Sequence, residues 1–248
     1  MIQAFRWLGP AVRDLAEVVL PARCHFCRAF LDPEGAGELI CPECQAALER
    51  PSSPACLVCG LPFVSSAGLD RVCGDCQAQP PPFIAARFVA VYQDPLARAI
   101  KDFKYNRRLE LVRSLGSLLA AFQPGSGFPD RFDLILPVPL HPQRLRWRGF
   151  NQAAALARHL TRLGPVETDL LIRVRNTPPQ TTLKGRERRL NVKGAFALTD
   201  PKRAAGRNIL VVDDLWTTGA TIDQCARTLA RAKAAQVAVL TLSRTLGH

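Results

Sequence analysis

The sequence predicts an α/β fold, a parallel β-sheet with helices on both faces, joined to a small amino-terminal module rich in cysteine. Three observations predict it. Apolar strand-like runs alternate with helical patterns after residue 83, as they do in βαβ architectures. Eight of the nine cysteines precede residue 77 and fall into four CxxC pairs. Between these regions "QAQPPPF", residues 77–83, is a proline-rich break, so the chain divides into units 1–80 and 81–248.

At 248 residues the chain is long enough for one good core and a small second module. A hydrophobic content of 48% with 22% charged residues is that of a soluble globular protein and excludes a disordered one. No apolar run reaches the 18 residues of a membrane span. Arg6, Pro10, Arg13, Asp14 and Glu17 interrupt the first segment, so residues 2–20 read as a short amphipathic helix rather than a signal peptide. A cytoplasmic location is expected.

The cysteine region is an internal duplication. "CHFCRAFLDPEGAGELICPEC" recurs as "CLVCGLPFVSSAGLDRVCGDC", displaced by 32 positions. The pairs are Cys24/Cys27, Cys41/Cys44, Cys56/Cys59 and Cys73/Cys76. Each CxxC turn presents two sulfurs on one side, and two such turns complete a tetrahedral thiolate cage for structural Zn²⁺. One or two zinc ions are expected, two being the natural count, and the metal would fold units with so little apolar core. Ligation in chain order, 24/27 with 41/44 and 56/59 with 73/76, is expected over interleaved pairing, which the same spacing allows. A disulfide framework is the alternative and needs an oxidising compartment. His25, inside the first turn, reads as a solvated neighbour, and Cys225, in "TIDQCARTLARAKA", as a small core residue.

Within the second unit the elements follow in order. "FIAARFVAVY" reads as a strand, and "DPLARAIKDFKYNRRLELVRSLGSLLAAF" as one or two helices opened by Asp94 and Pro95. "FDLILPVP" is a buried strand and "FNQAAALARHLTRL" a helix ended by Gly164 and Pro165. "DLLIRVR" and "NILVVDD" are strands, "GATIDQCARTLARAKA" is a helix, and "QVAVLTLSRT" is the last strand. Residues 176–207 break the rhythm; polar and basic, they read as a functional lid or a tolerated insertion.

The charge is unevenly divided. Residues 1–80 carry 6 Lys+Arg against 9 Asp+Glu, a balance of −3; residues 81–248 carry 27 against 12, a balance of +15. An anionic partner, nucleic acid or a phosphorylated small molecule, therefore belongs to the second unit.

"VVDDLWTTGAT", residues 211–221, concentrates the chemistry. Val211 and Val212 finish a strand and Gly219 opens the next helix, so the turn between them offers backbone N–H groups and the positive end of a helix dipole. Thr217, Thr218, Gly219, Ala220 and Thr221 form a phosphate cradle. Asp213 and Asp214 would repel phosphate, so they face hydroxyls or Mg²⁺. A ribose carrying a 5-phosphate meets both demands. Trp216, between the halves, either packs beneath the loop or faces the acceptor side.

This stretch closely resembles the 5-phosphoribosyl 1-pyrophosphate loop of type I phosphoribosyltransferases. "LILPVPLHPQRLRWRGFNQAAALA" resembles the pyrophosphate loop and following basic run of the ComF family, whose RGFNQ pattern falls on Arg148 to Gln152. "PPQTTLKGRERRLNVKGAF" is similar to that family's hood, at Gln180, Arg188, Asn191, Lys193 and Phe196. The duplicated CxxC region is similar to its double zinc ribbon. The resemblance implies a type I phosphoribosyltransferase fold, Mg²⁺ with phosphoribosyl pyrophosphate, and catalytic roles for Asp213 and Asp214. It places Leu140, His141, Arg144, Arg148 and Arg188 on the pyrophosphate side, with Lys184 and Arg186 closing over the site; Lys104, in "FKY", is a further candidate for that side, from the preceding helix. It also implies a link with natural competence, DNA uptake and single-stranded DNA. Two readings stay open: a phosphoribosyltransferase with an unidentified acceptor, and a non-catalytic sensor that binds single-stranded DNA. Met1-Ile2 lacks a glutamine amidotransferase's amino-terminal cysteine, so ammonia release from glutamine is not expected.

Overall fold

A computed structural model of the chain describes residues 21–31, 39–125, 127–177 and 192–246. The amino-terminal helix expected over residues 2–20 lies outside them. Short helices α1 (Pro42–Ala46) and α2 (Gly74–Ala78) each begin directly after a cysteine of the duplicated unit.

Strand β1 (Ala85–Val91) is followed by two helices, α3 (Leu96–Tyr105) and α4 (Leu111–Ala120). Helix α3 opens on Pro95 with no side-chain cap, so Asp94 does not perform the capping expected of it. Leu96, Ile100 and Phe103 recur at helical spacing and are fully buried. Each such burial contributes roughly 1.5–3 kcal/mol.

Strand β2 (Leu134–Pro137) leads to α5 (Pro142–Arg148) and α6 (Gln152–Ala157). Helix α6 tightens into a 3-10 turn at Arg158–Leu160, so the helix expected over residues 150–163 is shorter than its pattern.

The remaining elements are β3 (Leu171–Arg173), β4 (Phe196–Leu198), β5 (Asn208–Trp216), α7 (Ala220–Arg231) and β6 (Gln236–Arg244). Four strands form one parallel sheet in the order β1-β6-β5-β2. "DLLIRVR" does not join it. Its strand β3 pairs antiparallel with β4 in a separate two-stranded sheet, Arg173 opposite Phe196. The long segment after residue 176 is therefore not a lid throughout: Val192, Ala195 and Phe196 are buried against the sheet's second face.

Each face of the sheet carries its own core. Leu210 and Val212 of β5 pack with α3 and α4; Ile209 and Val211 pack with α7 and the β3–β4 pair. The period of two along a strand produces this division. Cys24, Phe26, Ile40, Cys41 and Leu48 join the first core, while Cys56 and Cys59 join the second. The cysteine-rich repeats thus clasp the edge strand β1 from both sides. Ala86 N–H donates to the Val58 carbonyl at 2.6 Å, and Val91 N–H to that of Glu49 at 2.8 Å. An edge strand so covered cannot template pairing with another chain. Among the described residues no helix is long and apolar enough to cross a membrane.

Candidate functional site

The eight paired cysteines form two groups, Cys24/Cys27/Cys41/Cys44 and Cys56/Cys59/Cys73/Cys76, the sulfurs of each lying within 4.8 Å of one another. Zn–S bonds of about 2.3 Å separate the sulfurs of a tetrahedron by about 3.8 Å. Cys27 and Cys41 are 3.8 Å apart at Sγ, and Cys59 and Cys73 are 3.9 Å apart. Both sets fit structural zinc with ligation in chain order.

Backbone amides prepare one thiolate in each set. Cys41 N–H donates to Cys24 Sγ at 3.4 Å; Cys59 and Cys73 N–H donate to Cys56 Sγ at 3.4 and 3.3 Å. Burial pushes both acceptor thiols up, but the surrounding amides outweigh it and lower each to about 6. Burial raises Cys41 to about 11 and also raises Cys44 and Cys76. Ionising all four needs the charge of the metal.

His25 corrects its expected place in solvent. It is 3% exposed, and its Nε2 lies 3.0 Å from Asp102 Oδ2 on α3. The first knuckle is thereby tied to the helix that carries Lys104.

At the carboxyl end of the sheet, β5 continues through Asp213 and Asp214 to Trp216 rather than stopping at Val212. Successive residues of a strand face opposite sides. Asp214 turns toward α3, where its Oδ2 lies 2.8 Å from Lys104 Nζ; the side chains are 6% and 16% exposed. Asp213 lies within electrostatic reach of Cys225 on α7 and of Arg173. Its Oδ1 accepts the Asp214 N–H at 2.9 Å. Alternation along the strand aims the two acids to opposite sides, with Asp213 still in the field of Lys104.

Burial would strip Lys104 of its charge, but the carboxylates of Asp214 and then Asp213 prevail and hold its pKa above the ordinary value. Burial, and next the Asp214 charge, push Asp213 well above the carboxylate range against the pull of Lys104. A raised folded pKa means that protonated Asp213 contributes stability fully below the ordinary carboxylate pKa, lost as pH rises through the raised one. Asp213→Asn is therefore expected to flatten the fall in stability between acid and neutral pH, measured by urea unfolding of the ligand-free protein. An unchanged pH profile would place the titration elsewhere.

The threonine loop follows directly. Gly219 has φ +75° and caps α7; a Cβ there would meet Trp216 Nε1 at 2.7 Å, so only glycine fits without a shift. Asp223 N–H bonds the Gly219 carbonyl, leaving the first-turn amides of α7 directed at the loop. Ala220 is buried, Thr217 and Thr221 are half-buried and Thr218 is exposed. Trp216 packs beneath the loop, edge-on to Phe83 at 5.8 Å. The Arg244 guanidinium lies 4.1 Å from the Trp216 ring centroid and donates to the Cys59 carbonyl, so the second knuckle supports the loop from below.

Helix α5 reaches Thr177 through Arg144 and Tyr105 through Arg148. His141 caps it, its Nδ1 accepting from Gln143 N–H at 3.3 Å, with Leu140 half-buried before it. Arg144 donates to the Thr177 carbonyl at 2.5 Å. One turn on, Arg148 sits 5.3 Å from the Tyr105 ring centroid. The RGFNQ pattern makes the junction to α6. Gly149 has φ +86°, Phe150 packs on Phe103 at 5.1 Å, and Asn151 caps α6 while donating to the Val138 carbonyl at 3.0 Å. Arg188, Lys184, Arg186, Gln180 and Asn191 lie outside the described residues; Lys193 is exposed and Phe196 buried. Sequence reasoning missed Arg173, 8% exposed, which donates to Thr177 Oγ1 at 2.5 Å. An arginine in a strand that reads as apolar was its one signal.

A parallel sheet ending in two acids, a left-handed glycine and a threonine loop, with two four-cysteine sets on its edge, defines a phosphoribosyltransferase-like protein carrying a double zinc ribbon. The Double zinc ribbon domain family matches residues 15–77, and the Phosphoribosyl transferase domain family residues 146–245. The chain belongs to the ComF family. It is 37% identical to the DNA utilization protein YhgH of Escherichia coli (strain K12), over 92% of this chain and 100% of that one. It is 31% identical to Competence protein F of Haemophilus influenzae, over 90% and 96%, and 32% identical to Competence protein ComFC of Bacillus subtilis, over 84% and 85%. Among solved structures, a glutamine phosphoribosylpyrophosphate amidotransferase from B. subtilis is similar at 20% identity and a TM-score of 0.34, covering 52% of this chain and 25% of that one. So partial an overlap carries no argument about this chain.

Proposed function

We propose that the protein binds Mg²⁺ and 5-phosphoribosyl 1-pyrophosphate and transfers the phosphoribosyl group to a nucleophilic acceptor, in a process linked to DNA uptake. The observation that carries this reading is the Lys104–Asp214 pair with Asp213, immediately before the Gly219 turn and the amino terminus of α7. The 5-phosphate takes the loop of Thr217 to Thr221. Asp213 and Asp214 orient the ribose hydroxyls and lend negative potential to the cation developing at the anomeric carbon. Their oxygens suit a hard cation, whose charge would offset the burial, and after it the Asp214 charge, that raise Asp213. When bound, Mg²⁺ neutralises the leaving pyrophosphate.

In the transfer, the bond from the anomeric carbon to pyrophosphate breaks, the acceptor's lone pair forms the new bond, and the acceptor gives up its proton. Arg144 and Arg148 serve the pyrophosphate side with Lys104; Arg188, given the same role by the resemblance, lies outside the described residues. The names of the relatives, competence and DNA utilization, support the biological link. A pyrophosphate-release screen across amines, bases and nucleic acids tests the reading; binding of the donor without release from any acceptor would favour a sensor.

That second reading has its own observation. Trp147 and Tyr105 are 60% and 51% exposed, with the Arg148 guanidinium within 6.0 Å of both ring centroids. Exposed rings interleaved with arginine suit stacked bases of single-stranded DNA. Neutralising four phosphates there gives a log–log salt slope of about −3. Fluorescence anisotropy is expected to read that slope, and Trp147→Ala to weaken binding about tenfold, one stacked base contributing about 1–3 kcal/mol. Salt-independent binding would count against this surface.

A further inference from the structure

We infer that Trp216 donates its indole N–H to the phosphate monoester received by the loop of Thr217 to Thr221, as a binding residue of that subsite and not only as packing beneath it. The inference deepens the donor-binding reading above and rests on it. Strand β5 ends on Trp216 and α7 begins at Ala220, so the indole stands at the junction that forms the loop. Its side chain is 7% exposed. The ring meets Phe83 edge-on and has the Arg244 guanidinium over it, and neither offers a nitrogen or oxygen acceptor. Among the described residues the indole N–H has no hydrogen-bond acceptor. A buried indole N–H ordinarily has one.

The contact with Gly219 shows which edge of the ring reaches the loop. A Cβ at Gly219 would lie 2.7 Å from Nε1, 3.1 Å from Cε2 and 3.3 Å from Cζ2, so the nitrogen leads. Glycine at φ +75° omits the atom that would push this edge away from the helix terminus. The left-handed glycine and the tryptophan before it are therefore one arrangement, which brings a side-chain donor to the amino end of a 12-residue helix.

The groups fixed at that junction call for an acceptor from outside. No side chain caps α7, so its first-turn amides have no acceptor of that kind. The indole is a donor only. The two nearby acids are engaged elsewhere, Asp214 with Lys104 at 2.8 Å and Asp213 with the Asp214 amide at 2.9 Å. The Arg244 guanidinium, 4.1 Å from the ring centroid, draws electron density from the indole and so makes its N–H a stronger donor. A phosphate monoester supplies the acceptor oxygens that amides, threonine hydroxyls and indole can share.

The test uses the full, zinc-loaded chain with four probes: ribose 5-phosphate, inorganic phosphate, Mg²⁺-pyrophosphate and Mg²⁺-phosphoribosyl pyrophosphate. The indole N–H proton resonance of Trp216, assigned by its loss in Trp216→Phe, is expected to move downfield as ribose 5-phosphate saturates the chain. Calorimetry is expected to show Trp216→Phe binding ribose 5-phosphate about tenfold more weakly. A benzothienyl isostere of Trp216, with both rings kept and sulfur in place of the N–H, separates the hydrogen bond from packing. It is expected to melt with the parent and to lose the same affinity as Trp216→Phe, while Mg²⁺-pyrophosphate binds it and the parent within about threefold of each other. An isostere that binds ribose 5-phosphate like the parent, or an indole resonance that stays in place at saturation, would overturn the inference and leave the donor-binding reading standing. A resonance that moves with inorganic phosphate and not with ribose 5-phosphate would overturn the assignment to a monoester. Failure of the parent chain to bind Mg²⁺-phosphoribosyl pyrophosphate would instead overturn the reading on which the inference rests.

Discussion

Removing zinc is expected to unfold the whole chain in one transition rather than release an amino-terminal appendage. Cys56 and Cys59 lie in the same apolar cluster as Ile209, Val211 and Cys225, and Cys24 and Cys41 in that of Leu210 and Leu240. The backbone of β1 is hydrogen-bonded to Val58 and Glu49, and Arg244 reaches from the last strand to the Cys59 carbonyl. A structural zinc site is worth about 10–16 kcal/mol, as much as the roughly 5–15 kcal/mol that holds a typical domain folded. Calorimetric scans with and without a strong chelator are expected to show the single transition lost or lowered by tens of degrees. The Cys56→Ser and Cys59→Ser double variant is expected to behave likewise. A transition of the parallel-sheet unit at unchanged temperature in either would show the two units to be energetically independent.

The second large effect is at the acids. Asp213→Ala with Asp214→Ala is expected to remove detectable binding of Mg²⁺-phosphoribosyl pyrophosphate. Two charge-assisted contacts at about 1.5–3 kcal/mol each correspond to a loss on the order of a hundredfold or more. The pair also carries a folding role, because Lys104 is left buried without its partner. Breaking such a pair costs about 3–5 kcal/mol. Lys104→Met in the double-alanine background is therefore expected to restore the melting temperature without restoring binding. That outcome separates loss of ligand contacts from loss of fold. Unchanged donor affinity in the double variant would remove the proposed function.

Much of this was legible in the chain. The 32-residue duplication led directly to two four-cysteine sets, because a CxxC turn is a local structure and its metal chemistry follows from the spacing. Alternating apolar runs located the four strands of the main sheet, and Gly219 in a left-handed turn is what a tight strand-to-helix junction requires. The misplaced elements share a cause. "DLLIRVR" is as apolar as the other strands, yet pairing partner and direction depend on contacts between residues far apart, here Leu171 with Leu198. His25 reads as a polar residue in an exposed turn until Asp102, 77 positions away, gives it a buried partner.

By itself the sequence determined the chemistry that lies in contiguous residues: the zinc sets, the acid pair, the threonine loop and the basic run from Arg144 to Arg148. Each needs only neighbours in the chain, so composition and spacing suffice to write it. Tertiary structure alone decided what meets across the fold: Lys104 against Asp214, Arg173 beside Arg144, Arg244 between Cys59 and Trp216, and the two ribbons on opposite faces of one sheet. Such meetings arise from close packing between elements distant in sequence, and local pattern carries no record of which distant partner the packing selects.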